Sequence, residues 1–116
     1  MGRISRTLDR MSSENQEASE LKHDAAKAGC SLITSQADRS VVTIHGVVRS
    51  VTLRPVDGVT ALEAELYDGS AGVTLIWLGR RKIEGVAPGR QLKAYGRIGL
   101  RTGNRVIYNP RYELEA

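Results

Sequence analysis

The stretch LYDGSAGVTLIWLGRR, Leu66–Arg81, decides how the rest of the chain is read. Leu66 and Tyr67 end one alternating segment. Asp68 to Gly72 is then a run of small residues holding two glycines, the composition of a tight turn, because glycine reaches positive φ without steric cost. Val73 to Leu78 is an unbroken apolar run too short for an ordinary helix and of the right length for a strand. Gly79, Arg80 and Arg81 close it. The stretch is therefore strand, turn, strand and basic cluster, and it holds Trp77, the only tryptophan.

Upstream, ALEAELYD (61–68) alternates, with Leu62, Ala64 and Leu66 on one face and Glu63, Glu65 and Tyr67 on the other. VDGV (56–59) carries the Asp-Gly pair of a hairpin turn. SVVTIHGVVRSVTLRP (40–55) reads as one long strand, and Gly46 inside it predicts a bulge or a sharp bend. Downstream, RRKIEGVAPG (80–89) is too short and glycine-rich for a long helix. RQLKAYGRIGL (90–100) is a fourth strand with Leu92, Ala94 and Ile98 inward and Lys93, Tyr95 and Arg97 outward. RTGN (101–104) turns the chain into RVIYNPRYELE (105–115), a fifth strand interrupted by Pro110. Five strands, the first long and bent, with no long helix among them, predict an all-β fold: a small closed barrel.

Residues 1–30 form a different kind of segment. Ile4, Leu8 and Met11 share one helical stripe, and Leu21, Ala25 and Ala28 make another. Between them SSENQ places Ser13 and Gln16 in a possible capping arrangement, so the segment reads as two short helices or one broken helix, and Gly29 is its stop. It is expected to be a lid or a partner-docking arm; the barrel domain is expected to span 40–116.

The chain has 116 residues, room for one compact domain and an appendage. With no Phe, four Tyr and one Trp, its core must be built from Val, Leu, Ile and Ala. The N-terminus lacks the apolar stretch of a signal peptide, no run approaches the length of a membrane span, and the single Cys30 cannot form an internal disulfide. A soluble cytoplasmic protein is the plain expectation. Charge is uneven: residues 1–38 carry five cations against six acids, whereas residues 39–116 carry twelve against seven. From Arg80 to Arg111 nine cations face only Glu84. Such a one-signed cluster points to a polyanion-facing surface; the alternative is a merely solubilising exterior, which usually mixes signs.

In order along the chain, a long first strand with its glycine, DGSAG leading into VTLIWL, and PGRQLKAYGRI resemble the OB-fold nucleic-acid-binding domain. The nearest likeness in pattern is to the wedge domain of RecG-type branched-DNA helicases, carried by GRI at Gly96–Ile98 and NPRYE at Asn109–Glu113. The resemblance covers about residues 40–116. It implies a five-stranded Greek-key barrel that binds nucleic acid across strands 2 and 3 and the neighbouring loops. Helicase activity is not carried over, since these residues leave no room for motor domains. The missing helix between strands 3 and 4 leaves one end of the barrel open, and the N-terminal helix is the expected plug.

Catalysis is not expected. His23 and His45 are isolated, Cys30 has no partner at zinc spacing, GSAG lacks the lysine and helix of a phosphate loop, and Glu63 and Glu65 read as a solvated strand face. No cofactor and no metal site follow. Binding without sequence preference needs cations for phosphates and flat side chains for bases. The candidates are Tyr67, Trp77, Arg80, Arg81, Lys82, Lys93, Tyr95, Arg97, Arg101, Arg105 and Tyr108. Both faces of 73–78 are apolar, so alternation leaves Trp77 open between a core or rim residue and a stacking platform. The acidic pair Glu63 and Glu65 would repel phosphate, which directs binding to the strand 3, 4 and 5 side or to the loops. The expected partner is single-stranded or branched DNA ahead of RNA, with a role in DNA repair or recombination. The alternative is a protein-interaction or oligomerisation module using the barrel and the N-terminal helix.

Overall fold

The computed structural model describes residues 2–115, with side chains from Ser13 onward. Six strands follow one helix: α1 Gly2–Lys27, β1 Val41–Val56, β2 Val59–Tyr67, β3 Gly72–Leu78, β4 Gln91–Arg101, β5 Asn104–Tyr108 and β6 Arg111–Leu114. The strand order β1-β2-β3-β5-β4 closes through a β1–β4 pairing, and β6 continues along β4. All neighbours are antiparallel except β3 and β5. This is the OB-type barrel, with five strands in the ring.

The long first strand makes closure possible because it serves two partners. Val41–Val47 pairs with β4, and Val47–Val56 pairs with β2. Gly46 lies at the changeover, where a Cβ would come within 2.5 Å of the Tyr67 carbonyl oxygen. It therefore permits a close backbone approach; the bulge itself falls at Arg49, between Val48 and Ser50. Asp57 and Gly58 both take positive φ in the β1–β2 turn, as an Asp-Gly hairpin requires.

The predicted fifth strand is two. Across Asn109–Pro110 the register on β4 slips by one residue, leaving β5 opposite Ile98–Arg101 and β6 opposite Leu92–Tyr95. Proline has no N–H to give to a ladder, and Asn109 turns to φ 50°. The Asn109 side chain repairs part of the loss by accepting from the Leu78 N–H at 3.0 Å.

The main core runs through the barrel from Ile44 and Val48 to Leu66, Leu75, Leu92, Ala94, Ile98 and Ile107. Each buried Val, Leu or Ile side chain contributes about 1.5–3 kcal/mol by leaving water. Trp77 belongs to it, with Tyr112 packed edge-on at 5.8 Å between ring centroids.

The helix is continuous through Ser13–Gln16, so no cap forms there; the Gln16 amide bonds to Glu20 one turn on. Leu21 and Ala25 are buried as one stripe. Gly29, at φ 76°, ends the helix in a Schellman arrangement: Cys30 N–H donates to the Ala25 carbonyl and Gly29 N–H to that of Ala26. The expected plug is only partly helical. It is Ile33, in a single 3-10 turn after α1, that joins the main core, together with Ile83 and Val86 of the β3–β4 loop. Asp68 anchors that turn. Wholly buried, it accepts from the Ile33 N–H at 2.8 Å, and from Ser70 N–H, Ser70 Oγ–H and Ala71 N–H within its own loop. No helix among the described residues is long and apolar enough to cross a membrane.

Candidate nucleic-acid interface

Four candidate aromatics end up in four environments. Trp77 is 6% exposed and donates its Nε1–H to the Pro110 carbonyl at 3.0 Å, so of its two readings the core one holds and no base can stack on it. Tyr67 was expected on an open polar face. It is instead half-buried, its ring covered by the Arg49 guanidinium at 4.0 Å and its hydroxyl donating to Gly69 O. The cause is the bulge at Arg49, and Glu17 of α1 holds the same arginine at 3.3 Å. Tyr95 is half-buried, donates to Glu113 Oε2 at 2.9 Å and has Arg111 at 5.6 Å from its ring. That hydrogen bond is the first cause of a tyrosine pKa above its ordinary value. Tyr108, at the end of β5, alone among these rings is exposed, and Arg101 donates to its hydroxyl.

The cations divide among three clefts. Arg80 and Lys82, with Arg111, rim an opening where β3 and β6 diverge, floored by Trp77, Ile83 and Pro110; Glu84 and Tyr112 complete its lining. Arg81, between Arg80 and Lys82 in sequence, is exposed and is not part of that lining. In a cleft over β1, β2 and β3 that Arg105 of β5 also lines, Arg54 and Arg105 stand with Glu63 and Glu65, and Arg54 pairs with Glu63 at 3.5 Å. Glu63 is therefore paired, and Arg105 is half-buried in the same cleft.

The third cleft lies over β4 and β5. Arg97, Gly99 and Arg101 alternate along the outer face of β4, and Gly99 is paired with Val106 of β5. Arg39, Arg97, Arg101 and Tyr108 surround a floor of Ile98, Gly99, Leu100 and Val106, enclosing about 340 Å³ with no carboxylate in the lining. Arg97 is steadied by donating to the Arg39 carbonyl, and Asp38 accepts from the Leu100 N–H at 3.0 Å at the cleft's edge. Lys93 is drawn away from these groups: half-buried, it lies between His45 on β1 and Glu113 on β6.

Sequence reasoning passed over Arg39 and Arg54 because both fall outside the dense cationic window, and Arg49 because nothing local marks a bulge there. Asp68 was read only as turn chemistry; its 35-residue reach to Ile33 has no local signal.

Beneath α1, His45 is 1% exposed with Nε2 2.8 Å from Glu115 Oε1, yet neither ring nitrogen makes a hydrogen bond of ordinary geometry among the described residues. Burial raises the Cys30 thiol pKa, opposed by Lys93 and reinforced by Glu115. Among the described residues no three His, Cys, Asp or Glu side chains converge as a metal site.

Among solved structures, this chain is similar to part of RecG in its structure bound to a three-way DNA junction. The TM-score is 0.64 and the identity 20%, over 73% of this chain and 12% of the RecG chain. A likeness at that identity establishes the fold, and this chain corresponds to a small part of the larger protein's length. No family model matches the sequence, and no curated protein matches it.

Proposed function

We propose that this protein binds single-stranded nucleic acid, without catalysis, along the outer surface of β4 and β5. The observation that carries the reading is Tyr108: of the four candidate rings it alone is exposed, with the Arg101 guanidinium 5.7 Å from its ring centroid and Arg97 and Arg39 on the same cleft. An exposed ring among arginines supplies both parts of sequence-tolerant binding, stacking and phosphate neutralisation. The ion pair of Arg54 and Glu63, with Glu65 beside it, makes the β2 face the poorer path for a phosphate backbone. The similar fold in RecG, whose structure holds a DNA junction, supports DNA as the partner ahead of RNA and an accessory place in repair or recombination.

The test is a panel of single-stranded, duplex and branched oligonucleotides titrated at two salt concentrations. Single strands, and branched DNA with unpaired arms, bind in preference to blunt duplex. With about three to four phosphates neutralised, the logarithm of affinity falls against that of salt with a slope of about −2 to −3. No binding to any oligonucleotide at low salt overturns the reading.

A further inference from the structure

Gly99 is an anomaly in the β4–β5 cleft. Glycine weakens a strand, and where the backbone does not demand it, its place often marks the close approach of something else. Here the backbone does not demand it: its φ is not left-handed, and a Cβ would meet only the Val106 carbonyl oxygen, at 4.0 Å. The missing side chain leaves a bare step on the outer face of β4 between Arg97 and Arg101, with Leu100 55% exposed alongside. The basic cleft at Trp77 includes Glu84 and the β2 cleft includes Glu63 and Glu65, whereas this one is lined by an aliphatic floor, an aromatic wall and three arginines, with the Asp38 carboxylate at its edge engaged by the Leu100 N–H.

An aliphatic floor with a ring at its side suits the flat face of a base. Arginines on several sides suit a phosphate with more than the single charge of an internal diester, since a phosphomonoester carries about −1.5 to −2 near neutrality and accepts forked N–H donors. Arg97 and Arg101 are already oriented, by the Arg39 carbonyl and the Tyr108 hydroxyl, and each keeps further N–H groups to give.

We infer that this cleft is a subsite for one nucleotide unit bearing a phosphomonoester, its base over Gly99 beside Tyr108 and its phosphate among Arg39, Arg97 and Arg101. The unit is the phosphorylated end of a strand or a free nucleoside monophosphate. For the strand end, the inference rests on the nucleic-acid reading above.

The experiment compares an oligothymidine of about sixteen nucleotides, a length that spans an OB-fold site, ending in hydroxyls, with oligomers one nucleotide shorter carrying a 5′- or a 3′-phosphate. The number of phosphates is then equal. One phosphorylated end is expected to bind about tenfold tighter. Gly99→Val fills the step in a strand that accepts a β-branched residue; it removes the preference, so that the three oligomers bind alike, with an unchanged melting transition as the control for folding. Competition by thymidine monophosphate shows that the free unit is taken as well, and its absence restricts the site to strand ends. Equal affinity for all three oligomers, which needs no variant to observe, overturns the inference while the nucleic-acid reading stands; so does a preference that survives Gly99→Val. If no oligomer binds at low salt, the broader reading fails, and thymidine monophosphate alone then decides the subsite: binding to wild type that Gly99→Val abolishes upholds it, and no binding ends it.

Discussion

Trp77 Nε1 donates to the Pro110 carbonyl oxygen at 3.0 Å, tying the last full turn of β3 to the break between β5 and β6. The bond explains how a barrel tolerates a proline in its closing strand. The Pro110 carbonyl at that break is satisfied by a buried indole, packed edge-on by Tyr112. Trp77→Phe leaves that carbonyl without its donor and is expected to cost about 1–3 kcal/mol. Trp77→Ala adds a cavity, for about 3–5 kcal/mol in all. Urea denaturation measures both, and Trp77→Phe should bind oligonucleotides as wild type does, because the ring is not offered to a base.

Tyr108 and Tyr67 form the contrasting pair. Tyr108→Ala is expected to weaken single-strand binding by about 1–3 kcal/mol, the value of one stacked base. Tyr67→Ala leaves affinity nearly unchanged and lowers stability, since its ring supports Arg49 and its hydroxyl holds the β2–β3 turn. Fluorescence anisotropy and thermal melting of both variants separate the two roles.

Gly46 admits no side chain. Gly46→Ala drives a methyl into the Tyr67 carbonyl, which is backbone and cannot step aside. A destabilisation of about 1–3 kcal/mol or more is expected from such overpacking, read as a lowered urea midpoint. Gly58→Ala, at the exposed hairpin tip, meets no atom within 4 Å and is penalised only for its φ of 79°.

The alkaline side of the stability profile should carry the signature of Cys30. Burial holds the folded thiol above its ordinary pKa. Between the unfolded value, about 8.5, and the folded one, the native state keeps a proton that the unfolded chain has released. Stability is therefore full below that window and falls as pH rises through it. Tyr95, raised first by its bond to Glu113, acts with the same sign at higher pH. Urea titrations from neutral to alkaline pH are expected to show the decline, shallower in Cys30→Ala. Deleting residues 2–27 uncovers the thiol and is expected to speed its reaction with a disulfide reagent.

Local chemistry was enough for the strands, their inward residues and their turns. Alternation placed Leu62, Ala64 and Leu66 inside, Asp57-Gly58 and Gly29 take the positive φ their positions require, and the order of segments implied the barrel before any contact was visible. These are short-range facts, decided by φ preference and by period-two burial. What each exposed ring and cation does was settled by tertiary structure. Trp77 lies inward with Val73 and Leu75, and its indole N–H meets a carbonyl 33 residues away. Tyr67 was covered because one extra residue at Arg49 brings a guanidinium over its ring, and Tyr108 was left open with Arg39, which lies 69 positions earlier. Closing a sheet into a ring brings together residues that no window of sequence contains, and the candidate site is made of such meetings.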